Sequence, residues 1–236
     1  MSHTLTIAGR QFRSYFNSSV AYIVVCLVLL TLGFLFWKPF FLFGRATVGE
    51  MFRWLSLILV FASPAMTMGL LAEEKRTGTI ELLITMPVKD SEVILGKFLG
   101  VFGLFAVLLA MTLPYPFSVA SLGNLDWGPV ISGYFGLALW GGAMLAVGLM
   151  ASSFTDNQIV ALFVSLAINF LLWLLGPFLA LMPVELASAL QWLSFEHHFE
   201  GMQRGVIALN DVLYFLSLGG LALAIAFRSL ESRRWR

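Results

Sequence analysis

The sequence predicts an all-α membrane protein with six transmembrane helices, and three observations carry that reading. First, 59% of the 236 residues are hydrophobic and only 11% are charged; a soluble chain carries roughly a quarter charged residues, so this one holds more apolar surface than a water-soluble core can bury. Second, six runs free of charge are long enough to cross the hydrocarbon layer as helices, at roughly twenty residues each. Third, Lys and Arg divide unevenly between the two sides that those runs define. A chain of this length fits one transmembrane domain over residues 1–236.

The six runs are Ser19 to Trp37, Trp54 to Ala72, Phe98 to Ala120, Ile131 to Ser152, Ile159 to Leu181 and Val212 to Phe227. Helices are expected because a helix satisfies its own backbone where there is no water. The sixth run is short, which puts Asp211 at one interface and Arg228 at the other with its stem free to snorkel. With both termini on one side, the N-terminal segment, the connection between spans two and three and the C-terminal tail together hold ten Lys and Arg; Lys38, Arg45, Arg53 and Arg204 fall opposite. The positive-inside rule then places both termini in the cytoplasm.

Between the spans lie three longer pieces. The segment through Asn17 alternates polar groups with Leu5, Ile7, Phe12, Tyr15 and Phe16, which suits a helix lying in the interface before the first span; the other reading is a disordered tail. Glu73 to Lys97 has charges at both ends and an apolar centre, Ile80, Leu82, Leu83, Ile84 and Met86, closed by Pro87. That centre is too short to span and predicts a cytoplasmic helix of about two turns. Pro183 to Asn210 mixes Leu186, Leu190, Trp192, Leu193 and Phe195 with Glu185, Glu196 and Glu200, the pattern of interfacial helices on the outer side.

Within the spans, Ala138, Gly142 and Ala146, and likewise Gly220 and Ala224, read as faces where helices approach closely. Pro64, Pro114, Pro116 and Pro177 predict kinks, which shape either a pathway or merely the bundle. Lone Cys26 excludes a disulfide within the chain and reads as a small packing residue. Asn169, the one strongly polar candidate inside a span, reads as an interhelical hydrogen bond or a substrate contact.

Little in the sequence supports chemistry of its own. The Gly96–Lys97 pair is followed by Phe98 where a phosphate-binding loop needs a hydroxyl, so this chain is not expected to hydrolyse ATP. No hydrolase or metalloprotease motif is present, and the spans as drawn contain no ionisable group to relay protons. Dispersed basic residues and a net charge of +1 leave no nucleic-acid surface. Glu196, His197, His198 and Glu200 are types that ligate metal when they converge, but adjacent histidines on a helix diverge, and interface polarity is the other reading. No catalytic, cofactor or metal residue is assigned.

The stretch EEKRTGTIELLITMPVKDSEVILGK resembles the permease subunits of type-2 ABC transporters, in which two acidic residues, a basic pair, a Thr-Gly-Thr turn and a short apolar helix follow span two. FEHHFEGMQRGVIALNDVLYFLSLG resembles the stretch entering the last span in the branch that includes gliding-motility and copper-enzyme-maturation permeases, and the N-terminal segment resembles the elbow helix of the family. The resemblance implies that Glu73, Glu74, Lys75, Arg76, Thr77, Gly78, Thr79 and Glu81 form a coupling element that docks on a separate ATPase subunit, where ATP and magnesium are held. The residues agree with that transfer. Gly78 permits a sharp turn, Thr77 or Thr79 can cap the amides that follow, and the charges suit salt-dependent docking; a plain amphipathic helix on lipid headgroups is the alternative. In the second motif His198, Phe199, Glu200, Arg204, Gly205, Asp211 and Tyr214 match the family pattern and are expected to be structural, with Arg204 paired to Asp211.

The implied function is the permease half of an exporter in the bacterial cytoplasmic membrane. Its partners would be an ABC ATPase, a second permease copy or paralogue, an auxiliary envelope protein and the lipid bilayer. Force transmission without a transported substrate, and metal handling through His197 and His198, are the rival readings.

Overall fold

A computed structural model of the chain describes residues 3–43, 47–79, 89–179, 182–183 and 190–231. Every regular element among them is an α-helix: α1 His3–Asn17, α2 Ser19–Phe43, α3 Gly49–Thr67, α4 Ala72–Arg76, α5 Asp90–Thr112, α6 Pro114–Leu122, α7 Trp127–Phe154, α8 Gln158–Leu179, α9 Phe195–Gln203 and α10 Leu209–Glu231. Six stretches are long and apolar enough to cross a membrane: α2, α3 with α4, α5 with α6, α7, α8 and α10. They coincide with the six runs, but most extend past them into charged turns. The last reaches 23 residues, or roughly 34 Å at 1.5 Å per residue, so it is not short for the bilayer.

Two of the spans change course where proline predicts it. In α3, Pro64 lies inside the helix; the helix stops three residues later and resumes as α4 after a turn at Met68–Leu71. The third span breaks between Thr112 and Pro114, where the Thr112 hydroxyl donates to the Leu109 carbonyl at 2.7 Å and lies 2.9 Å from the Tyr134 hydroxyl. Side chains thus take over backbone groups that the break releases.

At the centre stands α7, packed against α3, α5, α8, α9 and α10. Small residues let it touch so many neighbours. A methyl at Gly141 would fall inside the Phe105 ring, and one at Gly133 inside the Phe52 ring. Asn169 is buried and donates from Nδ2 to Ser63 Oγ at 3.2 Å and to the Met144 carbonyl at 3.4 Å, tying α8 to α3 and α7 as an interhelical hydrogen bond should.

Two expectations about packing faces are not met within the chain. Gly220 and Ala224 are exposed; the face of α10 that meets α7 carries Gly219, which lies against Ala143 and Ala146, and the buried Ala222 and Ala226. Cys26 is exposed on α2, one residue past the buried Val25, so it is not part of the packed interior among the described residues.

The N-terminal segment forms α1, which turns at Ser18 and lies along α5. A Cβ at Gly96 would meet Ile7 Cβ at 2.8 Å, and one at Gly100 would meet Gln11 Cβ at 2.6 Å. Glycines four apart on a helix share a face, and here they open a groove in α5 that seats α1. Tyr15 adds a hydrogen bond from its hydroxyl to the Met66 carbonyl on α3, at 2.6 Å.

Candidate functional site

The sequence points to the segment after span two, and the structure shows how it is rooted. The break between α3 and α4 would orphan backbone groups inside the bundle. Ser152 on α7 collects them: its hydroxyl oxygen accepts from Leu71 N and Ala72 N at 3.1 and 3.0 Å and donates to the Met68 carbonyl at 3.0 Å. Lys97 reaches in from α5. Only 1% exposed, it donates to the Leu70 carbonyl at 2.6 Å and pairs with Glu74 at 2.7 Å.

On α4 the side chains divide. Glu74 faces inward to Lys97. Lys75 donates to the Ser153 carbonyl on α7, a carbonyl that also accepts from Ser229 on α10 at 2.9 Å. Glu73 accepts from Gln158 at the start of α8 and from Arg76 at 2.7 Å. Side chains from four other spans therefore close on five residues of helix, three of them directly and α10 through Ser153. Arg76, Thr77, Gly78 and Thr79 are exposed at the tip.

Gly78 sits at φ +71°, the left-handed conformation that ends a helix with no steric cost for glycine. The threonine hydroxyls point back into α4: Thr77 Oγ1 donates to the Glu73 carbonyl at 2.9 Å, Thr79 Oγ1 donates to the Glu74 carbonyl at 3.4 Å, and the two hydroxyls lie 3.0 Å apart. They therefore close the helix behind them; the amides that follow, together with Glu81 and the apolar centre Ile80 to Met86, lie outside the described residues.

The sequence places Lys97 at the end of the Glu73 to Lys97 segment and after Gly96 in a pair that does not make a phosphate loop, and neither reading reveals its buried pairing with Glu74. Its signal was available. Lys97 stands two turns into a helix beginning at Asp90, with apolar residues on both sides, and a cation there needs a carboxylate or carbonyl partner.

At the opposite end, α9 is held by aromatic packing. Trp140 on α7 contacts the rings of Phe195, Phe199 and Phe215 with centroids 5.1 to 6.1 Å apart. His198 places Nδ1 2.8 Å from Asp211 Oδ1 and Nε2 3.1 Å from the Trp192 carbonyl, and its ring stacks on Tyr214 at 4.0 Å. Arg204 pairs with Glu200 rather than with Asp211. Gly205, at φ +96° just past the end of α9, turns the chain away, so Arg204 and Asp211 do not lie two turns apart on one helix. His197 lines a cavity while His198 is taken up by Asp211 and Trp192. Among the described residues no three of His, Cys, Asp and Glu converge as metal ligands.

No curated protein matches the chain. The family model described as ABC-2 family transporter protein matches residues 43–227, which run from the end of α2 through most of α10 and include both ends of the bundle. The chain belongs to the ABC-2 family of transporter proteins, as a multi-pass permease subunit of an ABC transporter.

Proposed function

We propose that a separate ABC ATPase drives this permease by gripping the segment Glu73 to Glu81, and that the work done is export from the cytoplasm. Residues 1–236 act as one transmembrane domain with both termini in the cytoplasm of a bacterial inner membrane. Two copies, or one copy and a close relative, pair above two ATPase subunits, which hold the ATP and magnesium; an auxiliary envelope protein completes the assembly.

One observation carries the reading: an exposed tip, Arg76 to Thr79, stands on a short helix whose base is bonded to span three through Lys97, to span four through Ser152 and Ser153, and to span five through Gln158. A push on the tip reaches three spans through bonds of fixed direction, without the permease touching nucleotide. A loop helix resting on lipid has no use for such a base.

The test is to co-express the permease with its ATPase and compare Gly78→Pro and Arg76→Glu with wild type. Both variants should insert and fold, and both should lose co-purification with the ATPase or stimulation of its hydrolysis by tenfold or more. Normal stimulation in both overturns the reading, as does labelling of residues 73–97 from the exterior. A flux assay in proteoliposomes separates export from force transmission.

A further inference from the structure

A cavity of about 760 Å³ opens at the α9 end, between the first turns of α3, the last turns of α8 and the outward side of α9. Ligand pockets run from about 300 to 1,000 Å³, so it has room for a small amphiphile. Its position is at span ends, the depth where headgroups lie against tryptophan.

Of the charged groups on the cavity wall, Glu200 and Arg204 are joined to each other, while Glu50, Arg53 and Glu196 form no ion pair among the described residues. Glu196 lies against the α8 backbone so closely that a Cβ at Gly176 would overlap its carboxylate. Burial raises the carboxyl above its usual range; Arg53 opposes the rise and Glu200 adds to it. Among the described residues Glu196 makes no hydrogen bond or ion pair. Arg53, also on the wall, feels its charge without pairing with it. The Glu200 carboxylate is already answered by Arg204. Pro177 has no N–H for the Trp173 carbonyl one turn earlier, and both residues line the cavity. Glu50 lies at the exposed rim one turn before Arg53. A half-buried acid and a base kept apart in one cavity, with an indole on the same wall, match a ligand that carries both charges and an apolar stem.

We propose that this cavity binds a phosphate–ammonium zwitterion, with the ammonium on Glu196, the phosphate on Arg53 and the stem along Trp173. The guanidinium fork fits phosphate oxygens two at a time, and an ammonium beside an indole gains from the ring face as well as from the carboxylate. The chemistry is that of an ethanolamine phospholipid headgroup and equally of free phosphoethanolamine. The site stands apart from the α4 end and needs no ATPase.

Calorimetric titration of the detergent-purified full chain tests it, with O-phosphoethanolamine and lysophosphatidylethanolamine as probes. Wild type should bind at least one, and Glu196→Gln and Arg53→Gln should each weaken that binding tenfold or more while keeping the wild-type elution volume. Glycerol phosphate, which lacks the amine, should lose affinity in Arg53→Gln and be unaffected by Glu196→Gln. Binding of both probes identifies the headgroup as sufficient; binding of the lipid alone identifies the membrane as the source. If neither probe binds, or if Glu196→Gln binds both as wild type does, the proposal is wrong. Should Arg53→Gln fail to fold, the isosteric Glu196→Gln decides the matter by itself.

Discussion

The two ends of the bundle are held by different mixtures of force. Around α4 the contacts are polar and directional: an ion pair at 2.7 Å, a serine bridging three backbone groups and a lysine on a carbonyl. Around α9 an aromatic cluster, with Trp140 at the middle of Phe195, Phe199 and Phe215, is added to polar bonds from His198 to Asp211 and from Ser132 to the Met202 carbonyl. Dispersion and hydrophobic contact are short-ranged but tolerant of small slides. Hydrogen bonds and buried ion pairs hold one geometry and leave a large penalty when broken. The α4 end thus depends on polar bonds to backbone groups that a helix break exposes, while the α9 end adds a large aromatic cluster to its polar bonds.

The sharpest way to break that contrast is to remove the buried cation. Lys97→Met leaves the Glu74 carboxylate against an apolar wall, with one oxygen that already lacks a partner among the described residues. Loss of one member of a buried pair costs about 3–5 kcal/mol, and a substantial drop in monodisperse protein by fluorescence size exclusion is the expected result. Lys97→Met combined with Glu74→Met should recover most of it, because an apolar pair of similar volume is often neutral. Equal losses in the single and double variants would show that Lys97 acts through its stem alone.

Gly141→Ala probes the central helix next. The methyl enters the Phe105 ring, and overpacking of this kind costs about 1–3 kcal/mol. Gly220→Ala, where nothing lies within 4 Å, should shift the melting temperature hardly at all. A reversed ranking would mean that α10 meets α7 through Gly220 after all.

That pair also shows what the sequence could and could not say. The six spans were legible because uncharged runs of such length have one cheap solution in lipid. The face of α10 was not, because Gly219, Gly220, Ala222, Ala224 and Ala226 offer two small-residue stripes, and lipid is as apolar as a packed neighbour, so polarity marks neither. Several helix ends differ from the runs because the helices take in charged residues, as α5 does in starting at Asp90 and carrying Lys97 inward, where a count of uncharged residues stops early. Of the site, the Gly78 turn and the exposed tip were legible from local chemistry. Ser152, Ser153 and Gln158 were not, because they reach α4 from about eighty residues away and carry no mark beyond being small and polar.

Gly78→Ala refines the α4 end. At φ +71° an alanine pays roughly 1–2 kcal/mol for the left-handed conformation, yet the cost falls on an exposed turn beyond the bonds to Lys97 and Ser152. The permease should stay folded, with proteolysis near residue 78 faster by severalfold and the melting temperature lower by only a few degrees. A collapse as deep as that of Lys97→Met would show that the turn and the base form one unit.

The smallest effect belongs to the other end, at Glu196. Burial raises its carboxyl pKa, so the folded chain holds this proton more tightly than the unfolded chain does. Its contribution to stability is therefore greatest below the ordinary carboxyl range and is lost as pH rises through the raised folded value. Glu196→Gln, which has no proton to lose, should match wild type near pH 4 and melt slightly higher at pH 8. The group is only half-buried and solvent screens it, so a gain of about 1–2 °C is the expected size. Measured as a difference between the two proteins in the same detergent, the contribution of titrating groups that do not interact with Glu196 cancels. A variant that melts below wild type at pH 8 would show that the carboxylate is satisfied where it lies, and with that the open acid in the cavity would be gone.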